Sequence, residues 1–395
     1  MSSTQAASPP DSGGPLERVA RIAEFLESSA AASEANGQLI PEVVEKLHEQ
    51  RLFRLLLPRV YGGEEIDPVT WFRVMEAIGR RDASTAWCIG QTNGCTLAAG
   101  GLPPEVVRRI WGEPRAVLSW GPPIRSTAEP VEGGHRLTGE WTLASGSRHA
   151  TWLGLMAQVR GPGGAAPPKD VAASTRIFLV PVAQTRWIDN WNSIGLKATN
   201  SGGFACEGLF VPSGFSISRD HLTEARLDAP LYRFPWNALF AIGFCAVALG
   251  IARSMLEAVV ALARQKKPWL GRQSLLESNL VQFQIGEAEA RLRSARGYIE
   301  GTAERVWQGV VASGELTVPS RMDIRLAATF AIHEASAVAD AAWVIAGANA
   351  IFASGPFERR LRDLRTVMQQ SQGRKSHLQD VGAWMLGLEP NFAYA

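Results

Sequence analysis

From Phe234 to Ala252 the chain carries no formal charge. A run of that length meets the threshold for a membrane span, and it cannot lie on a water-facing surface. Two observations argue against the membrane. The run stands alone and holds Asn237, and it continues into Arg253-Ser-Met-Leu-Glu-Ala-Val-Val-Ala-Leu-Ala-Arg264 with helical amphipathy. A helix apolar on all sides belongs instead in the middle of a bundle or at a subunit interface. Either place requires other helices around it. The pattern predicts long helices from Leu275 to about Val311 and from Pro319 to Ala353, and shorter ones beginning near Pro356 and Lys375.

The chain also begins helical. Leu16, Val19, Ile22, Ala23 and Leu26 recur at three- and four-residue spacing. Pro41 opens a second helix, where its missing N–H costs nothing, and Pro68 a third. Asp82 caps a fourth, in which small residues dominate as far as Gly101 and allow close packing. Pro103-Pro104-Glu105 starts a short fifth. From Ala116 to about Pro212 the period changes to two. His135 to Thr138, Thr151 to Val159, Arg176 to Val182 and Phe204 to Val211 read as strands. Between the first two, Gly139-Glu-Trp-Thr-Leu-Ala-Ser-Gly-Ser-Arg-His-Ala-Thr-Trp152 breaks the alternation at Ser145-Gly146-Ser147. A glycine there marks a bulge or a close backbone approach. Hydroxyls beside large aromatic surfaces suit a planar, polar-edged heterocycle, or else form the polar rim of a hairpin bulge.

Helices, strands and helices again divide the chain into a disordered tail (1–14), an N-terminal helical domain (15–115), a β-domain (116–217) and a C-terminal helical bundle (218–395), an α+β arrangement with segregated layers. A net charge of +2 implies neither nucleic acid nor an anionic membrane as partner. Cys88, Cys95, Cys206 and Cys245 have no metal-ligand or C-x-x-C spacing, which fits a reducing, cytoplasmic setting. The first fourteen residues lack the basic and apolar regions of a signal peptide.

Three segments, in this order, carry a resemblance. Gly139-Glu-Trp-Thr-Leu-Ala-Ser-Gly146 resembles the strand that lies along the flavin in the acyl-CoA dehydrogenase fold. Ile194-Gly-Leu-Lys-Ala-Thr-Asn-Ser201, followed by Gly208-Leu-Phe-Val-Pro212, resembles that family's G-x-(R/K)-x-T-x-S turn. Arg362-Asp363 resembles the R-D pair opening its next-to-last helix. The Trp-to-Ser-Gly spacing and Leu386-Gly-Leu-Glu-Pro390 are closer to one branch, the two-component, reduced-flavin-dependent monooxygenases of aromatic and polycyclic compounds. The fold so implied is an N-terminal helical domain, a small β-barrel or sandwich and a C-terminal four-helix bundle.

The resemblance implies reduced FMN or FAD and O2 as co-reactants, by way of a flavin C4a-peroxide, with an aromatic small molecule as substrate. No G-x-G-x-x-G follows a strand, so no nicotinamide is bound directly; reduced flavin then arrives from a separate flavin reductase. Ser145 matches the serine near flavin N5, or is a structural hydroxyl of the bulge. Trp120 lies where the β-domain approaches the ring, or is a core aromatic. Ser147, Thr199, Asn200 and Ser201 are expected phosphate donors. Arg264 and Arg272 flank a turn resembling the inter-subunit contact, or are surface charge. The R-D helix places Gln370 where many relatives carry a histidine, and Gln cannot shuttle a proton. His377 and His149 are the spare imidazoles, each also readable as structural. Trp87, Phe240 and Trp384 fit an aromatic guest, though each also reads as core.

Two other functions stay open at this stage. One is a flavin-bound acyl-CoA dehydrogenase-type desaturase. It needs a carboxylate base, and no acidic residue lies between Asp228 and Glu257, which leaves Asp380. The other is a non-catalytic assembly protein on the same scaffold. The uncharged helix, needing more apolar cover than one bundle supplies, leads to the expectation of a homotetramer.

Overall fold

A computed structural model describes residues 13–161, 165–166, 174–269 and 273–389. Five helices come first: α1 (Pro15–Asn36), α2 (Pro41–Glu49), α3 (Pro68–Gly79), α4 (Ala83–Thr96) and α5 (Pro104–Trp111). Their starts follow local chemistry. Proline occupies the first turn of α1, α2, α3 and α5, where no N–H is needed. Asp67 accepts from Val69 N and Thr70 N at the head of α3, and Asp82 from Thr85 N at the head of α4.

Eight strands follow: β1 (Leu118–Gly121), β2 (Pro123–Val131), β3 (Gly134–Trp141), β4 (Trp152–Gln158), β5 (Thr175–Pro181), β6 (Arg186–Ile188), β7 (Gly203–Pro212) and β8 (Ser216–Ser218). They form two four-stranded sheets, ordered β1-β4-β5-β8 and β2-β3-β7-β6. All pairs are antiparallel except β1 with β4. Leu137, Trp141, Leu153, Leu155, Phe178, Val180 and Phe204 pack together as a core of their own, the alternating inward residues of a sandwich.

The C-terminal helices are α6 (Trp236–Ala263), α7 (Asn279–Ser313), α8 (Val318–Ala346), α9 (Glu358–Val367) and α10 (Ser376–Met385). Two ends differ from the sequence pattern. Helix α8 stops at Ala346, because Gly347 turns out of the helix with φ of +56°. Helix α9 stops at Val367, short of Gln370. Helix α6 holds the uncharged run and packs against α3, α4, α7, α8 and α9. It is the one helix among the described residues long and apolar enough to cross a membrane, and 89% of its most apolar window is buried within the chain. Contrary to the expectation from its sequence, this helix is covered within its own chain and does not need other subunits to bury it. Glycines let α3 and α6 touch closely enough to do so: a Cβ on Gly250 would come within 2.5 Å of Glu76 O, and one on Gly79 within 2.9 Å of Val247 Cα.

Candidate active site

Strand β3 ends by burying Trp141, whose indole Nε1 donates to Met156 O at 2.8 Å and whose ring stacks on Phe204. With that anchor fixed, the chain turns sharply. Leu143 has φ of +54° and Gly146 φ of +76°, and Ser147–His149 form one 3-10 turn before β4 begins. Inside the turn is Ser145, 4% exposed. Its Oγ receives the Trp87 Nε1–H at 3.0 Å and lies 2.6 Å from Ser201 Oγ, which lies 2.6 Å from Thr199 Oγ1. Thr199 donates onward to Leu196 O at 2.8 Å. The backbone carbonyl of Ser145 accepts from Ser119 Oγ at 2.8 Å, and Gly146 N donates to Thr199 O.

The loop that brings Thr199 and Ser201 to Ser145 is held from behind by α9. Arg362 Nη1 donates to Ile194 O and the Asp363 carboxylate accepts from Leu196 N, both at 2.6 Å. Gly195 sits so close that a Cβ would lie 2.2 Å from Arg362 O. Arg362 is steadied by Glu34 at 2.7 Å and by Glu358. Burial pushes the Asp363 carboxyl up to about 7, against the Leu196 N–H, which favours the ionised form. Of the five non-glycine residues with positive φ among the described residues, Leu143, Leu196 and Asn200 fall in these two loops. Strained backbone gathered in one place is a mark of a functional site. Leu143 is also 53% exposed, an apolar side chain left uncovered beside a buried serine.

An aromatic wall continues from Ser145. Trp87 stacks on Phe244 at 4.0 Å, and Phe244 on Phe240 at 5.5 Å. Trp120, 4% exposed, meets Trp236 edge-on at 5.2 Å, and its carbonyl accepts from Gln91 Nε2. Two of the three aromatics expected around a guest, Trp87 and Phe240, thus share one stack. Trp384 packs elsewhere, against the small cluster of Met322 and Val381.

The remaining sequence-derived residues divide clearly. Gln370 stands beyond α9, as the cap of the turn Ser371–Gly373: its Oε1 accepts from Gln372 N at 2.7 Å and its Nε2 donates to Ser371 Oγ at 3.0 Å. His377 is buried against that same turn, its Nε2 2.6 Å from Ser371 O, and burial lowers its basicity. His333 Nε2 and Thr329 Oγ1 reach Gly373 O and Gln372 O. Asp380 is paired with the buried Arg325 at 3.1 Å. The imidazole of His149 is pushed down to about 4 by burial, and its Nε2 has no partner among the described residues. Thr199 and Ser201 turn their hydroxyls inward to Ser145, while Asn200 Oδ1 accepts from Arg148 Nε at 3.2 Å. Arg264 is exposed at the C-terminus of α6. Arg272 lies outside the described residues. Leu143, Ser119 and the hydrogen bond from Trp87 to Ser145 have no signature in the sequence pattern, because each depends on how a loop or a distant helix docks.

These residues fit a flavin. Ser145 Oγ, with one donor and one hydroxyl partner, keeps one hydrogen-bonding position for a ring nitrogen. Ser147 Oγ is buried with no partner among the described residues, the kind of donor an oxygen-rich cofactor satisfies. Leu143 offers apolar surface for a planar ring. No group of three or more metal-ligating side chains exists among the described residues.

Comparison with known proteins agrees. Residues 17–101 match the family model "Acyl-CoA dehydrogenase, N-terminal domain" and residues 242–372 match "Acyl-CoA dehydrogenase, C-terminal domain", together more than half of the chain. The chain is 29% identical to an indole-3-acetate monooxygenase of Pseudomonas putida over 88% of this chain and 87% of that protein. It is 26% identical to the oxygenase component of an FADH2-dependent resorcinol hydroxylase of Rhizobium sp., over 95% of each. The crystal structure of a 3-HSA hydroxylase from Rhodococcus sp. RHA1 superimposes with a TM-score of 0.89 at 23% identity, covering 98% of this chain and all of the other. The curated relatives it matches include oxygenase components of flavin-dependent monooxygenases, and the chain itself belongs to the acyl-CoA dehydrogenase family.

Proposed function

We propose that this protein is the oxygenase component of a two-component flavin-dependent monooxygenase, and that it uses reduced FMN or FAD and O2 to oxygenate an aromatic or polycyclic small molecule. Reduced flavin, when bound, supplies the electrons that activate oxygen. The chain's own residues bind and orient. Ser145 would meet the ring of a bound flavin, with Trp87 and Ser201 fixing the direction of its oxygen. Leu143 would give the ring apolar cover, and Trp87, Phe244 and Phe240 would exclude water and offer flat apolar surface for an aromatic substrate. The observation that carries the reading is the strained double loop that holds one buried serine hydroxyl beside this aromatic stack. A desaturase is disfavoured because Asp380, the carboxylate left for an α-proton, is engaged by Arg325. Nothing built like this site is needed by a purely structural assembly protein.

The finer points belong to the same proposal. A separate reductase supplies the flavin. The setting is cytoplasmic, in keeping with four free cysteines. The assembly is a homotetramer, supported by exposed Leu276 just before α7, by Leu280 and Phe283 in its first turns, and by Met385, Leu386 and Leu388. Ser147 and Asn200 are proposed as polar contacts to the cofactor's tail, with Arg264 contributed across subunits. The deciding measurement is affinity for oxidised and reduced FMN and FAD, side by side under anaerobic conditions. Tighter binding of a reduced flavin is expected. Tighter binding of the oxidised form, with reduction by an acyl thioester, would move the protein to the desaturase reading. Failure to bind either form would leave assembly.

A further inference from the structure

The hydroxyl chain behind Ser145 has a direction, and it follows from counting protons. A serine or threonine hydroxyl carries one hydrogen and two lone pairs. The three hydroxyls of Ser145, Ser201 and Thr199 therefore share three hydrogens among their contacts. Thr199 directs its hydrogen to Leu196 O at 2.8 Å, so in the 2.6 Å contact with Ser201 it accepts. Ser201 then spends its hydrogen on Thr199 and accepts in the 2.6 Å contact with Ser145. Ser145 gives its hydrogen to Ser201 and takes the Trp87 Nε1–H at 3.0 Å on one lone pair. One valence remains, and it is a lone pair. The opposite direction, Thr199 to Ser201 to Ser145, would leave the Ser145 hydrogen with no acceptor among the described residues, in a residue 4% exposed. A buried donor left unmade is the costly case.

We infer that Thr199 and Ser201 are positioning residues that make Ser145 an acceptor toward the cofactor, and so select reduced flavin, which bears a hydrogen on N5, over oxidised flavin, whose N5 offers only a lone pair. The inference rests on the proposed flavin site and adds what sets its redox preference. With reduced flavin the chain keeps all its bonds and gains the N5–H. With oxidised flavin, either Ser145 faces N5 lone pair to lone pair, or the chain reverses and the Thr199 bond to Leu196 O is lost. The difference is one neutral hydrogen bond, a preference of roughly two- to tenfold from this chain alone. Trp87 contributes by occupying the other lone pair, which leaves the acceptor pointing one way.

The test uses the full chain and anaerobic titration with oxidised and reduced FMN and FAD. Thr199→Val keeps the shape but removes the acceptor at the end of the chain. Ser201 then turns its hydrogen to Ser145, and the Ser145 hydrogen is free to meet an N5 lone pair. The ratio Kd(oxidised)/Kd(reduced) should fall roughly two- to tenfold, largely by tighter oxidised binding, and Ser201→Ala should lower it as well. Thr199→Ser should restore the parent ratio. Oxidised 5-deazaflavin, with C–H in place of that nitrogen, should gain nothing in Thr199→Val; an equal gain would mean a loosened site and overturn the inference. An unchanged ratio in both Thr199→Val and Ser201→Ala, with the parent preferring reduced flavin and circular dichroism showing both variants folded, would overturn it alone. A parent that binds neither flavin, or prefers the oxidised form, would overturn the site reading and this inference with it.

Discussion

Leu143 stands with φ of +54° and more than half of its side chain in water. The left-handed conformation costs an L-residue roughly 1–2 kcal/mol, and exposure of a leucine returns nothing to the fold. Both features make sense if the ring of the cofactor covers it. Leu143→Gly should then raise the stability of the free protein by up to about 1 kcal/mol, after the entropy of glycine is deducted, as read from urea unfolding. The same change should weaken flavin binding severalfold, because burial of a leucine stabilises by about 1.5–3 kcal/mol when complete. Weaker binding without the gain in stability, or neither change, would count against Leu143 as a platform. Ser145→Ala would act at the other edge of such a ring. Losing one hydrogen bond of about 0.5–1.5 kcal/mol should divert turnover to free hydrogen peroxide by roughly two- to tenfold, and full coupling in this variant would make Ser145 a turn residue and no more. Gln370 shows where residue-level reading falls short. Its spacing after Arg362-Asp363 reads as helix, yet Val367 is the last helical residue and both ends of the amide serve a cap.

At the scale of elements, the two motifs that the resemblance singles out, Ile194–Ser201 and Arg362-Asp363, prove to be one clamp. Sequence separates them by more than 160 residues, and nothing in either segment announces the other. The helices and strands were legible because burial imposes periods of 3.6 and 2; the turn positions were not, since Leu143, Leu196 and Asn200 adopt positive φ without being glycine. Ser145 was singled out through its flanking Trp141 and Gly146, whereas its hydrogen-bond partner Trp87 reads as an aromatic for a guest or for the core, with nothing in the sequence to tie it to Ser145. The clamp makes a pH-dependent prediction. Asp363 has its folded-state pKa raised to about 7, from an ordinary 3.8, by burial with Asp82 and Glu34 nearby, while Leu196 N–H and Arg359 oppose the rise. The folded state therefore holds the proton longer than the unfolded one, and this carboxyl lowers stability as pH rises from about 4 to about 7. Asp363→Asn keeps an acceptor for Leu196 N and removes the titration. Its unfolding midpoint relative to the parent should be higher at pH 8 than at pH 5, and a flat difference would defeat the assignment. Asp363→Ala leaves a buried N–H unpaired and should cost about 1–3 kcal/mol at either pH.

For the whole molecule, the uncharged run that dictated a helical bundle turned out to be satisfied inside a single chain. Helix α6 packs against α3, α4, α7, α8 and α9, and its most apolar stretch is 89% buried within the chain, which leaves that stretch no apolar face for another subunit. The surface that does remain lies on other elements. Leu280 and Phe283, in the first turns of α7, and Leu276, in the turn just before it, are 64%, 66% and 55% exposed, and the three-residue spacing of the first two puts them on one side of the helix. Single exposed hydrophobics are ordinary, but a contiguous apolar row is the mark of an interface. Assembly through this row is expected to give a tetramer, with a mass by light scattering close to four times the 42.7 kDa of one chain. The pair Leu280→Asp and Phe283→Asp places two like charges in the row. It should lower that mass to a dimer or monomer while leaving the melting of the bundle core in place, because neither side chain is buried in the chain. A parent that is already monomeric at micromolar concentration would defeat the tetramer. A double variant that stays tetrameric would move the interface to Met385, Leu386 and Leu388, at the end of α10.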